Sequence, residues 1–191
     1  MFSKHNLKWL ILLPGLLTPW LALADRGEQA VILGADGKFQ RGPTRVVDLT
    51  LKDLNGKPVK TTSYQGNVTV FFFAIVDLPG SQDMVPALNA VQRKYARRGL
   101  KVVGVALDCT ADQVRAFSKK WKCEFDWTIG EAALMADGGP LRTMPLMDDR
   151  NRQSSELTAV VCPHGRVRES FGFPVKTEVL TGEIDLVLAR P

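Results

Sequence analysis

The sequence predicts an α/β domain, a central mixed β-sheet flanked by helices, with a β-hairpin extension on its N-terminal side. Three observations carry this. Val68–Val76 is an apolar run broken only by Thr69, rich in β-branched and aromatic residues and short for a helix standing alone. Such a run suits a strand buried on both faces. After it, Met84, Leu88, Val91 and Tyr95 recur at helical spacing and form one apolar stripe. A second apolar run, Leu100–Leu107, follows. Two buried strands joined by a helix make a right-handed βαβ unit, and sites in such sheets form at the carboxyl ends of the strands.

Taken in order, the chain opens with Lys4 and Lys8 before an apolar stretch, Trp9–Leu23, that ends in the small-x-small signature Ala22-Leu23-Ala24. Residues 1–24 read as a secretory signal peptide cleaved after Ala24, too interrupted and short for a spanning helix. The expectation is a periplasmic or secreted protein with no stable membrane insertion after cleavage. Residues 25–42 form an N-terminal extension with a short strand at Ala30–Leu33, and residues 43–191 form the domain. Val46–Leu51 reads as a strand, and Asn55-Gly56 between short apolar runs is a hairpin signal. Asp77–Ser81 is a turn or helix start, and Pro86 is expected to kink the core helix because it removes a backbone hydrogen bond. Gly99 suits a helix C-cap.

Thr110 and Gln113 make a capping box for the next helix, with Val114, Phe117 and Trp121 on its inner face. Phe125–Ile129 reads as an edge strand. Gly138-Gly139-Pro140 breaks the chain, and Asp148–Ser155 is a solvated loop. Leu157–Cys162, the turn Pro163-His164-Gly165 and Arg166–Phe171 form a hairpin. Thr177 is expected to cap a last helix with Leu180, Ile184, Val187 and Leu188 inward.

The net charge of +5 is modest. The basic clusters Arg93-Lys94-Arg97-Arg98 and Lys119-Lys120-Lys122 read as solvated helix faces, since no aromatic-interleaved basic motif accompanies them. Nucleic acid is therefore not an expected partner. Three cysteines, Cys109, Cys123 and Cys162, leave at least one thiol unpaired within a monomer. Cys162 and His164 share a turn, but two ligands do not complete a zinc site. With no Gly-rich phosphate loop, His-Glu-x-x-His or nucleophile elbow, neither a metal nor a cofactor is expected.

Phe73-Ala74 followed by Met84-Val85-Pro86-Ala87-Leu88-Asn89, with the entry segment Asp53-Leu54-Asn55-Gly56-Lys57-Pro58-Val59 and Ser63-Tyr64-Gln65-Gly66-Asn67, resembles the exported thioredoxin-like proteins of the TlpA/ResA type. It also resembles their peroxiredoxin cousins in the redoxin, AhpC/TSA superfamily. The resemblance runs from Pro43 to about Ala189. It implies a thioredoxin-like fold and thiol–disulfide redox biology. In that family the central strand is followed by Cys-x-x-Cys, the first cysteine at a helix start that favours thiolate and the second resolving the mixed disulfide. Counted from Ala74, these positions fall on Asp77 and Gly80, so the frame is present and the dithiol absent. The family's cis-proline position falls on Glu156, with Pro145 upstream.

The resemblance therefore implies a member degenerate at the catalytic dithiol, acting as a binding or accessory factor for another envelope protein. Asp77 would then cap the core helix. The alternative is a single-cysteine peroxidase or thiol oxidoreductase using Cys109, expected at the site end of its strand. Cys123 and Cys162 are expected at the opposite end, as small buried hydrophobes. Against the alternative, a peroxiredoxin cysteine belongs at the core-helix start, where this chain has Asp77 or Ser81.

Overall fold

The computed structural model describes residues 30–33, 39–42, 48–135, 157–172 and 174–189. The predicted signal peptide, Pro145 and Glu156 lie outside them. Ala30–Leu33 (β1) pairs antiparallel with Phe39–Gly42 (β2), the N-terminal hairpin. The main sheet is built from Thr50–Asp53 (β3), Pro58–Lys60 (β4), Val68–Ala74 (β5), Leu100–Leu107 (β6), Asp126–Gly130 (β7), Leu157–Val161 (β8) and Val167–Phe171 (β9). Its order is β4-β3-β7-β6-β5-β8-β9, with β5, β6 and β7 parallel and the other pairings antiparallel. Ser81–Tyr95 (α1) joins β5 to β6, Ala111–Trp121 (α2) joins β6 to β7, and Thr177–Ala189 (α3) follows β9.

Every residue of β5 is buried, as the unbroken apolar run requires. Alternation sends Val68, Val70, Phe72 and Ala74 to one face, into a core shared with Met84, Leu88, Val91 and Tyr95 of α1, Val114 and Phe117 of α2, and Leu180, Ile184 and Val187 of α3. Phe71 and Phe73 enter a second core on the other face, with Leu51, Val103, Val105 and Leu157. The helical stripe of α1 thus lies where its spacing places it. Gly104 lets Trp127 cross β6: a Cβ there would stand 2.4 Å from the indole Cε3. Asn89, buried within α1, donates to Lys122 O and accepts from Glu124 N, both at 2.9 Å, and so fixes the turn from α2 into β7.

Four expectations are corrected. Asp126–Gly130 is an interior strand, because the β3–β4 hairpin pairs with it (Lys52↔Ile129, Asp53↔Thr128) and supplies the edge itself. Of the strand expected at Val46–Leu51, Val46 and Val47 lie outside the described residues, and among those described it runs Thr50–Asp53. It stops where Asp53 Oδ1 accepts from Asn55 N and Lys57 N, both 2.8 Å, and closes the turn that holds Gly56 at φ +82°. Trp121 is 37% exposed, since Trp127, packed on Phe72, Phe117 and Phe125, fills the space beneath α2. Thr177 is the first helical residue of α3, and the carbonyl before it, Lys176 O, accepts from Val179 N and Leu180 N.

Other expectations hold. Gly99 is left-handed at φ +81° after the 3-10 turn Ala96–Arg98. The basic cluster at the end of α1 and in the 3-10 turn after it is solvated, and three of its members are paired: Arg93 with Glu124, Lys94 and Arg98 with Asp185.

Candidate functional site

β5 and β6 end side by side at Ala74 and Leu107, and paired residues Ala74↔Ala106 mark the carboxyl edge of the sheet. The chain leaves β5 through a turn closed by Leu78 N to Ile75 O, 2.9 Å, and Ser81 N to Leu78 O, 3.3 Å. It leaves β6 through Asp108 and Cys109 into Thr110. Both helices therefore start at the same edge, and the positive ends of two helix dipoles lie there.

Asp77 does not cap the core helix. The N-cap position of α1 is Gly80, at φ −118° and ψ −31°, with no side-chain cap. Six residues, 75–80, separate strand from helix, so Asp77 sits in the turn, short of the first helical N–H groups. It is exposed, and its Oδ2 accepts from Gln113 Nε2 at 3.0 Å. Gln113 also completes the expected capping box of α2: its Oε1 accepts from Thr110 N (2.8 Å) and Thr110 Oγ1 (2.9 Å), and its N–H donates to Thr110 Oγ1 (3.3 Å). Asp77 thus ties the turn after β5 to the start of the neighbouring helix.

The first residue of α1 is Ser81, fully buried, with Oγ donating to Ile75 O at 2.7 Å. Of the two residues entertained for the core-helix start, Asp77 and Ser81, the structure selects Ser81. The Pro79-Gly80 pair just before it was the available signal, since such a pair marks a turn that a helix can follow.

Cys109 stands at the same edge, as expected. It is partly buried and its Sγ donates to Leu107 O at 3.0 Å. Burial pushes the thiol above its ordinary pKa, and the carboxylates of Asp77 and Asp108 push it the same way, while a hydrogen bond from the Val76 backbone opposes them. Asp108 holds the left-handed region, φ 54°, a conformation that costs a non-glycine residue energy and recurs at functional edges. Cys123, before β7, and Cys162, after β8, lie at the other end of the sheet, where Val103 faces Asp126 and Thr69 faces Val161. Burial also raises the Cys123 thiol. All three cysteines are free. Among the described residues no group of three or more His, Cys, Asp or Glu side chains could hold a metal ion, and no helix is long and apolar enough to cross a membrane.

The AhpC/TSA family profile matches residues 44–178. Peroxiredoxin Q, chloroplastic, of Sedum lineare is 34% identical over 77 residues, 40% of this chain and 41% of that protein. The Triticum aestivum peroxiredoxin Q is 31% identical over 106 residues, 55% of this chain and 48% of that protein. The chain spans about half the length of these curated relatives. Among solved structures, a thiol:disulfide interchange protein of the thioredoxin family from Chlorobium tepidum TLS superposes with TM-score 0.59 at 19% identity, over 78% of this chain and 99% of that one. A secreted Mycobacterium tuberculosis disulfide oxidoreductase homologous to E. coli DsbE gives TM-score 0.53 at 19% identity, over 73% and 96%. At these identities the likeness shows the fold, which is thioredoxin-like.

Proposed function

The chain belongs to the AhpC/TSA family, and on that premise we propose that it is an exported member that has given up dithiol chemistry and acts by binding in thiol–disulfide redox biology, as an accessory factor to another envelope protein. The single observation behind this reading is the residue at the start of α1. That is the place where free N–H groups and the helix dipole lower a cysteine pKa. Ser81 occupies it, buried, with its hydroxyl committed to Ile75 O. A serine hydroxyl there cannot exchange disulfides, and the preceding turn offers Asp77 and Gly80, which cannot either. The apolar run and N-terminal charges of residues 1–24 support export.

A second reading keeps an enzyme. Cys109 lies at the same edge as Ser81 and Asp77, between the ends of β5 and β6, so a single-thiol peroxidase or oxidoreductase would use it. Its raised pKa argues against this, because the thiolate is the nucleophile. Insulin reduction by the purified chain, driven by an added dithiol, tests the proposal. The expected result is a rate equal to the reductant alone. A faster rate that Cys109→Ser abolishes would replace the proposal with the second reading.

A further inference from the structure

Charge is sorted between the two ends of the sheet. β5, β6 and β7 are parallel, and α1 and α2 each carry the chain back from the carboxyl ends of the strands to their amino ends. The last turns of both helices therefore lie at the amino end, away from Ser81. Arg97 follows α1, Lys101 is the second residue of β6, and Lys119, Lys120 and Lys122 close α2. All are exposed, and among the described residues none of them pairs with a carboxylate. Glu124 and Asp185, at the same end, are taken by Arg93, Lys94 and Arg98. Asp126, the first residue of β7, offsets only part of the surplus. The carboxyl edge has the opposite character: Asp77, Asp83, Asp108, Asp112 and Glu131 gather there.

Basic residues at the end of a helix complement the negative end of its dipole, which accounts for Arg97 and the lysines of α2. It does not account for Lys101, which lies on a strand, or for Trp121. Kept out of the core by Trp127, Trp121 stands 37% exposed in the last turn of α2, with Lys120 Nζ 5.1 Å from its ring centroid. An indole has an apolar body and a polar N–H, and it collects where one side is apolar and the other wet, as at the headgroup level of a membrane. Lysines beside it can lay their stems on apolar surface and keep the ammonium in water. Unpaired cations around an outward-facing indole match a surface that is anionic outside and apolar beneath. A single-stranded nucleic acid would call for a series of rings along a groove, and Trp121 is the one exposed aromatic ring among the described residues.

We infer that the amino end of the sheet docks on an anionic lipid surface, with Arg97, Lys101, Lys119, Lys120 and Lys122 over the headgroups and Trp121 at their level. The contact is reversible and lies on the membrane without spanning it, the regime of a polybasic patch helped by one apolar anchor. It also sets an orientation. The acidic carboxyl edge, with Asp77, Ser81 and Cys109, faces away from the lipid.

The test is co-sedimentation of the full chain with vesicles of phosphatidylcholine alone and of phosphatidylcholine mixed with phosphatidylglycerol, at low salt. Residues 1–24 are common to every variant, so differences among variants report on this face. The parent is expected to prefer the anionic vesicles and to be released by added salt, which screens the attraction. Lys119→Gln with Lys120→Gln should weaken binding to the anionic vesicles by about fivefold for each charge removed, and Trp121→Ala should weaken it as well. Lys60→Gln with Lys176→Gln makes the same change of net charge at the other end of the sheet and should leave binding as in the parent. A parent without preference for anionic vesicles, a control pair that weakens as much as the Lys119 and Lys120 pair, or a folded Trp121→Ala that binds like the parent would each overturn the inference. Capture by duplex DNA exceeding that by vesicles of equal phosphate concentration would overturn it too. Should Trp121→Ala fail to fold, the two exposed lysine pairs decide alone.

Discussion

Cys109 sits at the carboxyl edge of the sheet in surroundings that hold its thiol toward the protonated form. Its sulfur donates to Leu107 O at 3.0 Å. Burial and the Asp77 and Asp108 carboxylates favour the protonated form. The sign follows directly: a nearby anion raises a thiol pKa, so neutralising that anion lowers it. Alkylation of Cys109 by iodoacetamide, followed by peptide mass spectrometry from neutral to alkaline pH, should show a midpoint above the ordinary thiol value. Asp77→Asn should move that midpoint down. An unchanged midpoint in the variant would mean that the carboxylate does not act on the sulfur.

Asp77 also shows where residue-by-residue reading stops. Counting from Ala74 put it at a helix start, yet β5 ends at Ala74 and the turn consumes residues 75–80 before α1 begins at Ser81. A turn's length is set by its own hydrogen bonds, here Leu78 N to Ile75 O, so counting from Ala74 misses it, and only the Pro79-Gly80 pair marked its end. The partner it found, Gln113, is 36 residues away. The capping box at Thr110 was legible because both of its members lie within one turn of helix.

At the scale of the element, the two helix starts at this edge behave differently. Thr110 caps α2 through Gln113 N, so Thr110→Ala should cost about 0.5–2 kcal/mol, the usual size of a lost cap. Asp77→Ala removes only an exposed side-chain contact and should stay within about 0.5 kcal/mol, as surface changes do. Urea melts of the two variants check the contrast. An Asp77→Ala loss as large as that of Thr110→Ala would restore a capping role that the geometry denies.

The βαβ unit of β5, α1 and β6 carries the core. Phe72 and Leu88 are both fully buried in the same cluster. Phe72→Ala and Leu88→Ala should each destabilise by about 2–5 kcal/mol, the range for large-to-small changes in a packed core. Urea midpoints close to the parent for either would contradict that packing. This unit was the most legible part of the chain, because burial on both faces of β5 and the i, i+4, i+7 and i+11 stripe of α1 are local patterns. The assignment of Phe125–Ile129 as an edge strand failed for the opposite reason. What covers that strand is a hairpin more than seventy residues earlier in the chain, and pairing over that separation leaves no local trace. Trp121 failed for a similar reason: its helical position faced inward, but Trp127 from the next strand had already filled the space.

For the whole molecule, fold and family were legible, while the site was legible only as an absence. The order of hairpin, strand, helix, strand, helix, strand, loop, hairpin and helix was present in the pattern of apolar runs; most of the loop lies outside the described residues, and the rest is the order observed, preceded by the β1–β2 hairpin. Which residue begins α1 depended on the length of the turn after β5, so the sequence offered Ser81 only as one of two candidates. On the proposed function, the carboxyl edge of this thioredoxin-like sheet holds no working thiol. Peroxide consumption by the purified chain in the presence of a thiol reductant tests it most directly. The expected result is consumption at the rate of the reductant alone, with Cys109 recovered unoxidised by mass spectrometry. Turnover above that rate, lost in Cys109→Ser and accompanied by sulfenic acid at Cys109, would contradict the claim.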